Sequence, residues 1–482
     1  MKKGFTTILA LAAAAAIIFC AVSFTQKGEL QKQVDELNAA ITKLNTELSS
    51  AKNELETVKS EAADAAKAAE EAAKAAEETI KATEEAAKAA EEAAKAAEET
   101  AKTAEENAPE PLYVLAATYG FKMGAPLSYD QTRNQKYLNL VKDNFNSITA
   151  TNEMKAYSLL NLQATLDRGD GMPGMNYAAA DKMVKWAAEN GIGVRGHVLV
   201  WDAYMTDWFF REDYDSKKPY ADQETIKART ESYITQVITH FEEKFPGVVY
   251  CWDVVNEAVG DNKDEYTEGD ARHLRTVRGG NPNLFKERLG DDFVALSFLY
   301  AKNAVEALGA DIKLYYNDYN AYFAEKAQAI RALVDSVNSF AQDENGNSRK
   351  LCDGVGMQGY IGGYGVQEGC LEDSHVDMIR KEILSYAAMD LEVQITEMAV
   401  RNFDITQADK HAEFYAKLFR MFMDLNGENG NPLKAVSIWG LTDTNAPKDN
   451  YVYRMNSPYG GLFDLKLNPK DAFQKVYETL KQ

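Results

Sequence analysis

The segment VVYCWDVVNE, residues 248–257, indicates how the larger part of the chain folds. Residues 248–255 form a short run of mostly apolar, β-branched and aromatic residues, which is typical of a buried strand. Asn256 and Glu257 follow at once, so the strand ends in an amide and a carboxylate. A carboxylate in such a place is costly unless it has a partner or a chemical role. The segment therefore predicts a buried sheet whose strand ends carry functional groups.

Seven similar runs lie elsewhere in the chain, some before and some after this segment, and amphipathic stretches separate them. The candidate strands are Tyr113–Thr118, Phe145–Thr149, Gly193–Val200, Val248–Val255, Lys313–Tyr316, Gly354–Met357, Glu392–Thr396 and Ala435–Trp439. The candidate helices are Ala178–Glu189, Thr225–Lys244, Phe293–Leu308, Lys326–Phe340, Val376–Ala388 and Ala408–Asp424. Eight strands that alternate with helices predict an α/β fold, a (β/α)8 barrel over residues 109–482. In that fold the reactive groups lie at the carboxyl ends of the strands.

Residues 27–106 have a different composition, with 11 lysines, 20 acidic residues and no aromatic residue. Apolar residues in the first half alternate in steps of four and three, which is the period of a left-handed coiled coil. They are Leu30, Val34, Leu37, Ile41, Leu44, Leu48, Ala51, Leu55 and Val58. The second half repeats units such as EEAAKAA, which favour an exposed helix. We expect a coiled-coil-like helical stalk, either a solvated spacer or an oligomer joined through its Leu/Ile-rich part.

Residues 1–26 start with Met and two lysines and then carry no charge around a long apolar run. A basic start and an apolar run predict an export signal. Residues 5–24 are also nearly long enough to span a bilayer, which would attach the protein to a membrane. Cleavage after Ser23 and an uncut anchor are both open, whereas lipid attachment at Cys20 is disfavoured by the bulky Phe19 before it. We therefore expect an extracellular protein that is secreted or anchored at the cell surface.

The net charge of -21 disfavours a nucleic-acid partner, because phosphate binding needs a basic face. A neutral polymer or a small molecule suits an acidic surface better. The four cysteines are too few for a disulfide framework, and no CxxC pair or Cys/His cluster suggests a metal site. Cys352 and Cys370 could form a disulfide, or each could be a free buried thiol.

Polar and aromatic side chains follow most of the predicted strands. They are Asn152, Lys155, His197, Trp201, Asn256, Glu257, Tyr319, Gln358, Glu397 and Trp439. Glu257 and Glu397 end especially apolar runs, and glycoside hydrolysis needs two such carboxyl groups. One protonates the leaving oxygen, while the other attacks the anomeric carbon or activates water. The alternative is a pair of structural glutamates bonded to arginine or backbone, but Trp201 and Trp439 favour a site on which sugar rings stack.

Seven segments at the predicted strand ends resemble, in order, glycoside hydrolase family ten, the retaining endo-β-1,4-xylanases. They are FNSITATNEMK (145–155), RGHVLVW (195–201), WDVVNEAV (252–259), LYYNDYN (314–320), DGVGMQ (353–358), VQITEM (393–398) and IWGLTD (438–443). The resemblance implies cleavage of β-1,4-linked xylan with retained configuration and without a cofactor. It implies that Glu257 is the general acid/base and that Glu397 is the nucleophile.

The resemblance also implies how the sugars are bound. The residues that would hold sugars on the non-reducing side of the cleaved bond are Asn152, Lys155, His197, Trp201, Asn256, Gln358 and Trp439. Tyr319 would stack a sugar on the leaving-group side. The chain departs from the family at six positions, which lie around the non-reducing side or the nucleophile. They are Thr151 in place of Glu, Ala156 in place of Trp, Asp202 and Tyr360 in place of His, Ala399 in place of Asp, and Pro447 near a usual Trp.

These departures leave other functions open. One is a retaining hydrolase of the same fold that acts on another β-glycan or on a decorated oligosaccharide. Another is a carbohydrate-binding protein on a catalytically weakened scaffold, although the presence of both glutamates argues against it. We expect endo action, although the sequence does not settle endo against exo action.

Overall fold

The computed structural model describes residues 27–106, 109–362 and 371–482. The chain divides into two compact units, Met1–Ala108 and Pro109–Gln482. The expected export signal or anchor in residues 1–26, and the Cys370 end of the suggested disulfide, lie outside the described residues. Cys352 is buried and has a free thiol.

The described part of the first unit is one helix, α1, which spans Lys27–Glu106. Its surface carries salt bridges between residues four apart, such as Glu70 with Lys74 at 2.8 Å. Most apolar side chains that the structure describes in its first half are exposed; Leu37 and Ile41, for example, are 43% and 46% exposed. The helical part of the stalk prediction is thus confirmed, whereas a coiled-coil partner stays a prediction. No helix in the described residues is long and apolar enough to cross a membrane.

The second unit is built on a closed parallel sheet of eight strands. The strands are β1 Lys122–Leu127, β2 Ser147–Ala150, β3 Gly193–Gly196, β4 Val249–Asn256, β7 Lys313–Asp318, β8 Gly354–Met357, β10 Glu392–Val400 and β11 Leu433–Ile438. Each strand pairs with the next in chain order, and β11 pairs with both β10 and β1, which closes the barrel. Three short strands are added outside it: β5 Val277–Arg278, β6 Asn281–Pro282 and β9 Tyr360–Ile361. The predicted (β/α)8 barrel is confirmed.

Helices surround the sheet and cover its outer face. They are α2 Leu112–Ala117, α3 Gln135–Asn144, α4 Ala156–Leu159, α5 Leu162–Arg168, α6 Ala178–Glu189, α7 Gln223–Lys244, α8 Leu284–Leu289, α9 Phe293–Leu308, α10 Ala324–Asn338, α11 Asp373–Ala387, α12 Ala408–Glu428, α13 Tyr451–Asn456 and α14 Asp471–Leu480. The strands and the inner faces of most of these helices share one large apolar core, whereas Met455 of α13 belongs to a separate small cluster. Burial of this apolar area is the main stabilising contribution to the fold.

The prediction of a first strand at Tyr113–Thr118 was wrong, because these residues fall almost entirely within helix α2. Leu112, Leu115 and Ala116 are its buried residues, and their spacing of three and one places them on one helical face. The first strand is β1 instead. Its sequence does not predict a strand, because Gly124 and Pro126 are both uncommon in strands. Gly124 is required there because an added Cβ would collide with the Ser437 hydroxyl on β11.

Two other strands end four residues away from their predicted ends, which is the largest difference among the remaining strands. Strand β3 ends at Gly196 and not at Val200, so His197 lies in the loop that follows it. Strand β10 continues past Thr396 to Val400, because β9 pairs with its last two residues. Glu397 is therefore inside a strand, between the paired residues Ile395 and Met398.

Gly196 offers a test of how closely β3 and β4 pack. A Cβ at this position would overlap the indole of Trp252, which is fully buried. Gly196→Ala should therefore lower the free energy of unfolding by about 1–3 kcal/mol, the usual cost of overpacking a core. The measurement is the midpoint of urea denaturation. Gly427→Ala is the matched control: it adds a methyl to α12 in open space and should raise stability by about 0.5–1 kcal/mol. Equal effects of the two changes would contradict the close packing.

Candidate active site

Glu257 follows β4 at the carboxyl rim of the barrel and is 8% exposed. Its Oε2 accepts a hydrogen bond from Arg278 Nη1 at 2.8 Å, and its Oε1 accepts one from Gln358 Nε2 at 3.1 Å. Its φ of 55° is unfavourable for a residue with a side chain. Arg275 Nε at 3.1 Å and Arg278 Nη2 at 2.8 Å both donate to the Glu257 carbonyl oxygen. The two arginines therefore hold both the backbone and the carboxylate of this residue.

Glu397 on β10 is also 8% exposed, but its partners are uncharged. The Tyr360 hydroxyl donates to Oε2 at 2.6 Å, and Asn317 Nδ2 lies 3.5 Å from Oε1. Burial, and then the charge of Glu397, raise the pKa of Tyr360 well above its usual value. The hydroxyl therefore keeps its proton and remains a donor to the carboxylate.

Eight of the ten predicted site residues line one cavity of about 440 Å³ at the carboxyl rim. They are Asn152, Lys155, His197, Trp201, Glu257, Gln358, Glu397 and Trp439. The structure thus brings both glutamates together with two tryptophans and several hydrogen-bonding side chains. A mixed lining of this kind suits a ligand with apolar ring faces and polar edges.

A buried chain of polar groups fixes the orientation of His197. Its Nδ1 lies 2.8 Å from Asp253 Oδ2, and Asp253 is also ion-paired with Arg195. Arg195 in turn donates to Gln394 Oε1 at 2.6 Å. Because Nδ1 bonds to the carboxylate, Nε2 is the ring nitrogen left for a ligand in the cavity.

Lys155 is 7% exposed, and its ammonium group lies over two aromatic rings. The distances from Nζ to the ring centroids are 5.2 Å for Trp201 and 4.4 Å for Tyr204. Burial lowers the pKa of Lys155, while the charges of the two glutamates oppose this shift. Lys155 therefore places a cation near both carboxylates and orders the aromatic side of the cavity.

Three buried polar atoms at the cavity or just behind it lack a hydrogen-bond partner among the described residues. They are Asn256 Nδ2, Trp201 Nε1 and Asn456 Oδ1. Buried polar groups are normally paired, so these two donors and one acceptor are suited to a ligand with hydroxyl groups. Asn256 itself lies just behind the cavity, where its Oδ1 accepts from Asn317 Nδ2 at 2.9 Å.

Tyr319 is not among the residues that line the cavity. Its hydroxyl accepts from Arg275 Nη2 at 3.0 Å, and Lys326 Nζ lies 4.4 Å from the centre of its ring. Burial raises the pKa of Tyr319 above its usual value. The predicted stacking of a sugar on this ring stays a prediction.

The departures from the family pattern have clear local consequences. Asp202 forms a two-point ion pair with Arg278, at 2.9 and 3.0 Å. The Tyr360 hydroxyl donates to Glu397, and the Tyr360 ring packs with Ala399 and Trp439. The side of the cavity near residue 447 is lined by short polar and aliphatic groups and by one tyrosine: Leu441, Thr442, Asp443, Thr444, Tyr451, Val452 and Asn456.

Sequence reasoning missed several charged residues around Glu257, namely Arg275, Arg278 and Asp318. Asp318 is fully buried, and burial raises its pKa to about 6. Its pairing with Lys326 at 3.1 Å partly offsets that burial. The Gly279-Gly280 pair signals a turn beside Arg278, but nothing in the sequence shows that this turn faces Glu257. Among the described residues, no cluster of His, Cys, Asp or Glu could hold a metal ion.

Comparison with known proteins gives one consistent result. Residues 112–479 match the family model described as Glycosyl hydrolase family 10. A Caldicellulosiruptor saccharolyticus protein, provisionally named an endo-1,4-beta-xylanase, is 32% identical over 337 residues, which is 68% of this chain and 96% of that protein. Endo-1,4-beta-xylanase B of Butyrivibrio fibrisolvens is 29% identical and is covered over only 52% of its length, against 74% of this chain.

Solved structures show the same similarity. Endo-1,4-beta-D-xylanase 10B modules of Clostridium thermocellum, complexed with xylohexaose, superpose with a TM-score of 0.65 at 27% identity, over 77% of this chain and 68% of that one. The endo-1,4-beta-xylanase of Caldicellulosiruptor owensensis has a TM-score of 0.59 at 26% identity, over 77% of this chain and 99% of its own.

Proposed function

This chain belongs to glycosyl hydrolase family 10, and from that membership we propose that its barrel is an endo-1,4-β-xylanase that retains the anomeric configuration. The observation that carries the proposal is the pair of buried glutamates, Glu257 and Glu397, which line one cavity and have different partners. A retaining glycosidase needs two carboxyl groups with separate roles. Relatives named as xylanases support xylan as the substrate.

In the first step a Glu397 carboxylate oxygen attacks the anomeric carbon, while the Glu257 carboxyl gives its proton to the glycosidic oxygen and the leaving sugar departs. In the second step Glu257 takes a proton from water, and the water oxygen displaces Glu397 from the anomeric carbon. Tyr360 keeps Glu397 ionised by donating a hydrogen bond to it. Trp201 and the other lining groups, together with Asn256 just behind them, bind the sugar hydroxyls and ring faces.

A second candidate is a retaining hydrolase of the same fold with a different sugar preference. The polar lining near Thr444 and Asn456, in place of the tryptophan usual in this region, favours a wider or decorated sugar. A binding protein without activity is a third candidate. Release of reducing sugar from a panel of β-glycans separates all three.

The two glutamates should respond differently to replacement. Glu257→Ala should lower the rate on xylan about 10²–10⁴-fold, the usual contribution of a general acid, but affect aryl xylosides with good leaving groups much less. Azide should partly restore turnover by attacking the glycosyl-enzyme, and it should yield a β-azide. Glu397→Ala should lose activity on both substrates, because no covalent intermediate can form. Initial rates and proton NMR of the first product are the measurements.

Two results would overturn these roles. An initially α product from the unaltered enzyme would exclude retention. Wild-type rates for Glu397→Ala would exclude it as the nucleophile, and no effect of either change would favour the binding protein.

The Tyr360 hydroxyl should set the acid limb of the pH–rate profile. Hydrogen bonds to charged groups contribute about 1.5–3 kcal/mol, and one pH unit corresponds to about 1.4 kcal/mol. Tyr360→Phe removes a donor that favours ionised Glu397, so the acid limb of kcat/KM should move up by about one pH unit or more. Tyr386→Phe is the matched control, since its buried hydroxyl donates at 2.9 Å to the Ala321 carbonyl instead. If Tyr360→Phe and Tyr386→Phe gave the same pH–rate profile, the Tyr360 hydroxyl would not set the acid limb.

We propose that helix α1 carries the barrel and associates with α1 of a second copy through its Leu/Ile-rich stripe. The exposed residues Ile41 and Leu48 lie in that stripe. Sedimentation equilibrium of the chain from Lys27 onward should show an oligomer, which Ile41→Lys with Leu48→Lys should dissociate. Ile80→Lys, outside the stripe, should leave the mass unchanged. A monomeric wild-type chain would refute the association.

We also propose that the enzyme acts outside the cell, with residues 1–26 as an export signal or a membrane anchor. The basic start and apolar run of these residues support the proposal. A mature N-terminus near Phe24 in the culture medium would identify a cleaved signal, whereas recovery only with detergent would identify an anchor. Retention in the cytoplasm would refute both.

A further inference from the structure

Arg278 links the proposed acid/base to a second carboxylate. Its Nε and Nη2 donate to the two oxygens of Asp202 at 2.9 and 3.0 Å. Its Nη1 donates to Glu257 Oε2 at 2.8 Å, and Nη2 also reaches the Glu257 carbonyl at 2.8 Å. Four contacts therefore hold one guanidinium between two acidic residues. A lysine ammonium could not make the same set of contacts, because it lacks the planar arrangement of donors.

The backbone that carries Arg278 is held firmly. Arg278 is the last residue of β5 and pairs with Asn281 across a turn formed by Gly279 and Gly280, whose φ angles are 54° and 83°. Positive φ at both central residues is typical of the tightest hairpin turns. Thr276 N donates to the Glu265 carbonyl at 2.7 Å, which ties the hairpin to the loop behind it. The guanidinium is thus presented by a rigid element.

The ion pair conflicts with the resting state that a general acid needs. An arginine pair requires a carboxylate, whereas cleavage begins with a protonated Glu257. The conflict disappears after the proton has passed to the leaving sugar, because Glu257 is then ionised and the guanidinium stabilises it. Asp202 offsets part of the charge of Arg278 and so limits this stabilisation.

We propose that Arg278, held by Asp202, is a positioning residue that stabilises the ionised form of Glu257 and thereby sets the highest pH at which the barrel cleaves xylan. The inference rests on the hydrolase function proposed above. It assigns a role to Asp202, which stands where the family usually has histidine.

The electrostatics agree with this geometry. Burial lowers the pKa of Arg278, but the hydrogen bonds to Asp202 and the charge of Glu257 outweigh it and hold the pKa above its usual value. Arg278 therefore stays charged over the whole working range. Besides Arg275, which donates to the Glu257 carbonyl, the other ionisable groups around Glu257 are Lys155, His197, Tyr204, Asp318, Tyr360 and Glu397. All of these remain in the variants below, so a difference from wild type reports on the Arg278–Asp202 pair.

The test uses two substitutions that break the same pair but change its charge in opposite directions. Arg278→Gln removes the cation beside Glu257, so the alkaline limb of kcat/KM on xylo-oligosaccharides should move up by about one pH unit. Asp202→Asn keeps an acceptor for Arg278 but removes the offsetting charge, so the same limb should move down. A purely structural role of the pair would lower activity in both variants without shifts of opposite sign.

Arg272→Gln is the matched control, because Arg272 lies on the same loop but pairs with Asp270 and Asp291. Its alkaline limb should coincide with that of wild type. An aryl xyloside with a good leaving group is the second control, since its first step needs little protonation and should show a smaller shift.

A carboxyl ¹³C NMR titration of labelled glutamate, assigned with Glu257→Gln, measures the coupling without any turnover. Opposite displacements of the Glu257 titration in Arg278→Gln and Asp202→Asn support the inference. Displacements in the same direction, or none, overturn it. If these shifts occur but xylan is not cleaved, the proposed function fails while the coupling stands. If xylan is cleaved and no shift occurs, only the coupling fails.

Discussion

Closure of the sheet is the constraint on which the rest of the second unit depends. Strand β11 pairs in parallel with both β10 and β1, and this brings the last strand of the barrel beside the first. Because all eight strands run in parallel, their carboxyl ends meet at one rim. Glu257 and Glu397 therefore share a cavity although 140 residues separate them along the chain, a distance that no local interaction could bridge.

Most of the barrel could be predicted from the sequence, because a buried strand followed by polar residues is a local pattern. The failure at β1 has a specific cause. Gly124 is demanded by the close approach of Ser437, which is a contact between distant segments. A tertiary contact of this kind selected a residue that locally resembles a turn, while the apolar residues 113–118 were free to form a helix.

The active site shows the same division between local and distant information. The residues at the strand ends could be anticipated by position, and Tyr360 was recognisable as a departure from the family pattern. The contact between Arg278 and Glu257 could not, since it depends on how a long loop folds back over β4. Asp202 was recognisable only as a departure from the family pattern, because its interaction is with Arg278, 76 residues away along the chain.

The partners of the two glutamates differ in charge, and this difference suits the two different roles that we propose for these identical side chains. Glu397 accepts hydrogen bonds from neutral groups, which stabilise a carboxylate without neutralising the charge that the proposed nucleophile needs. Glu257 meets a guanidinium that another carboxylate already partly offsets. A full, unshared cation there would oppose protonation, and no cation would leave the newly formed carboxylate unstabilised at the buried rim. The shared arginine lies between these limits, which is what a group that must both give and take a proton requires.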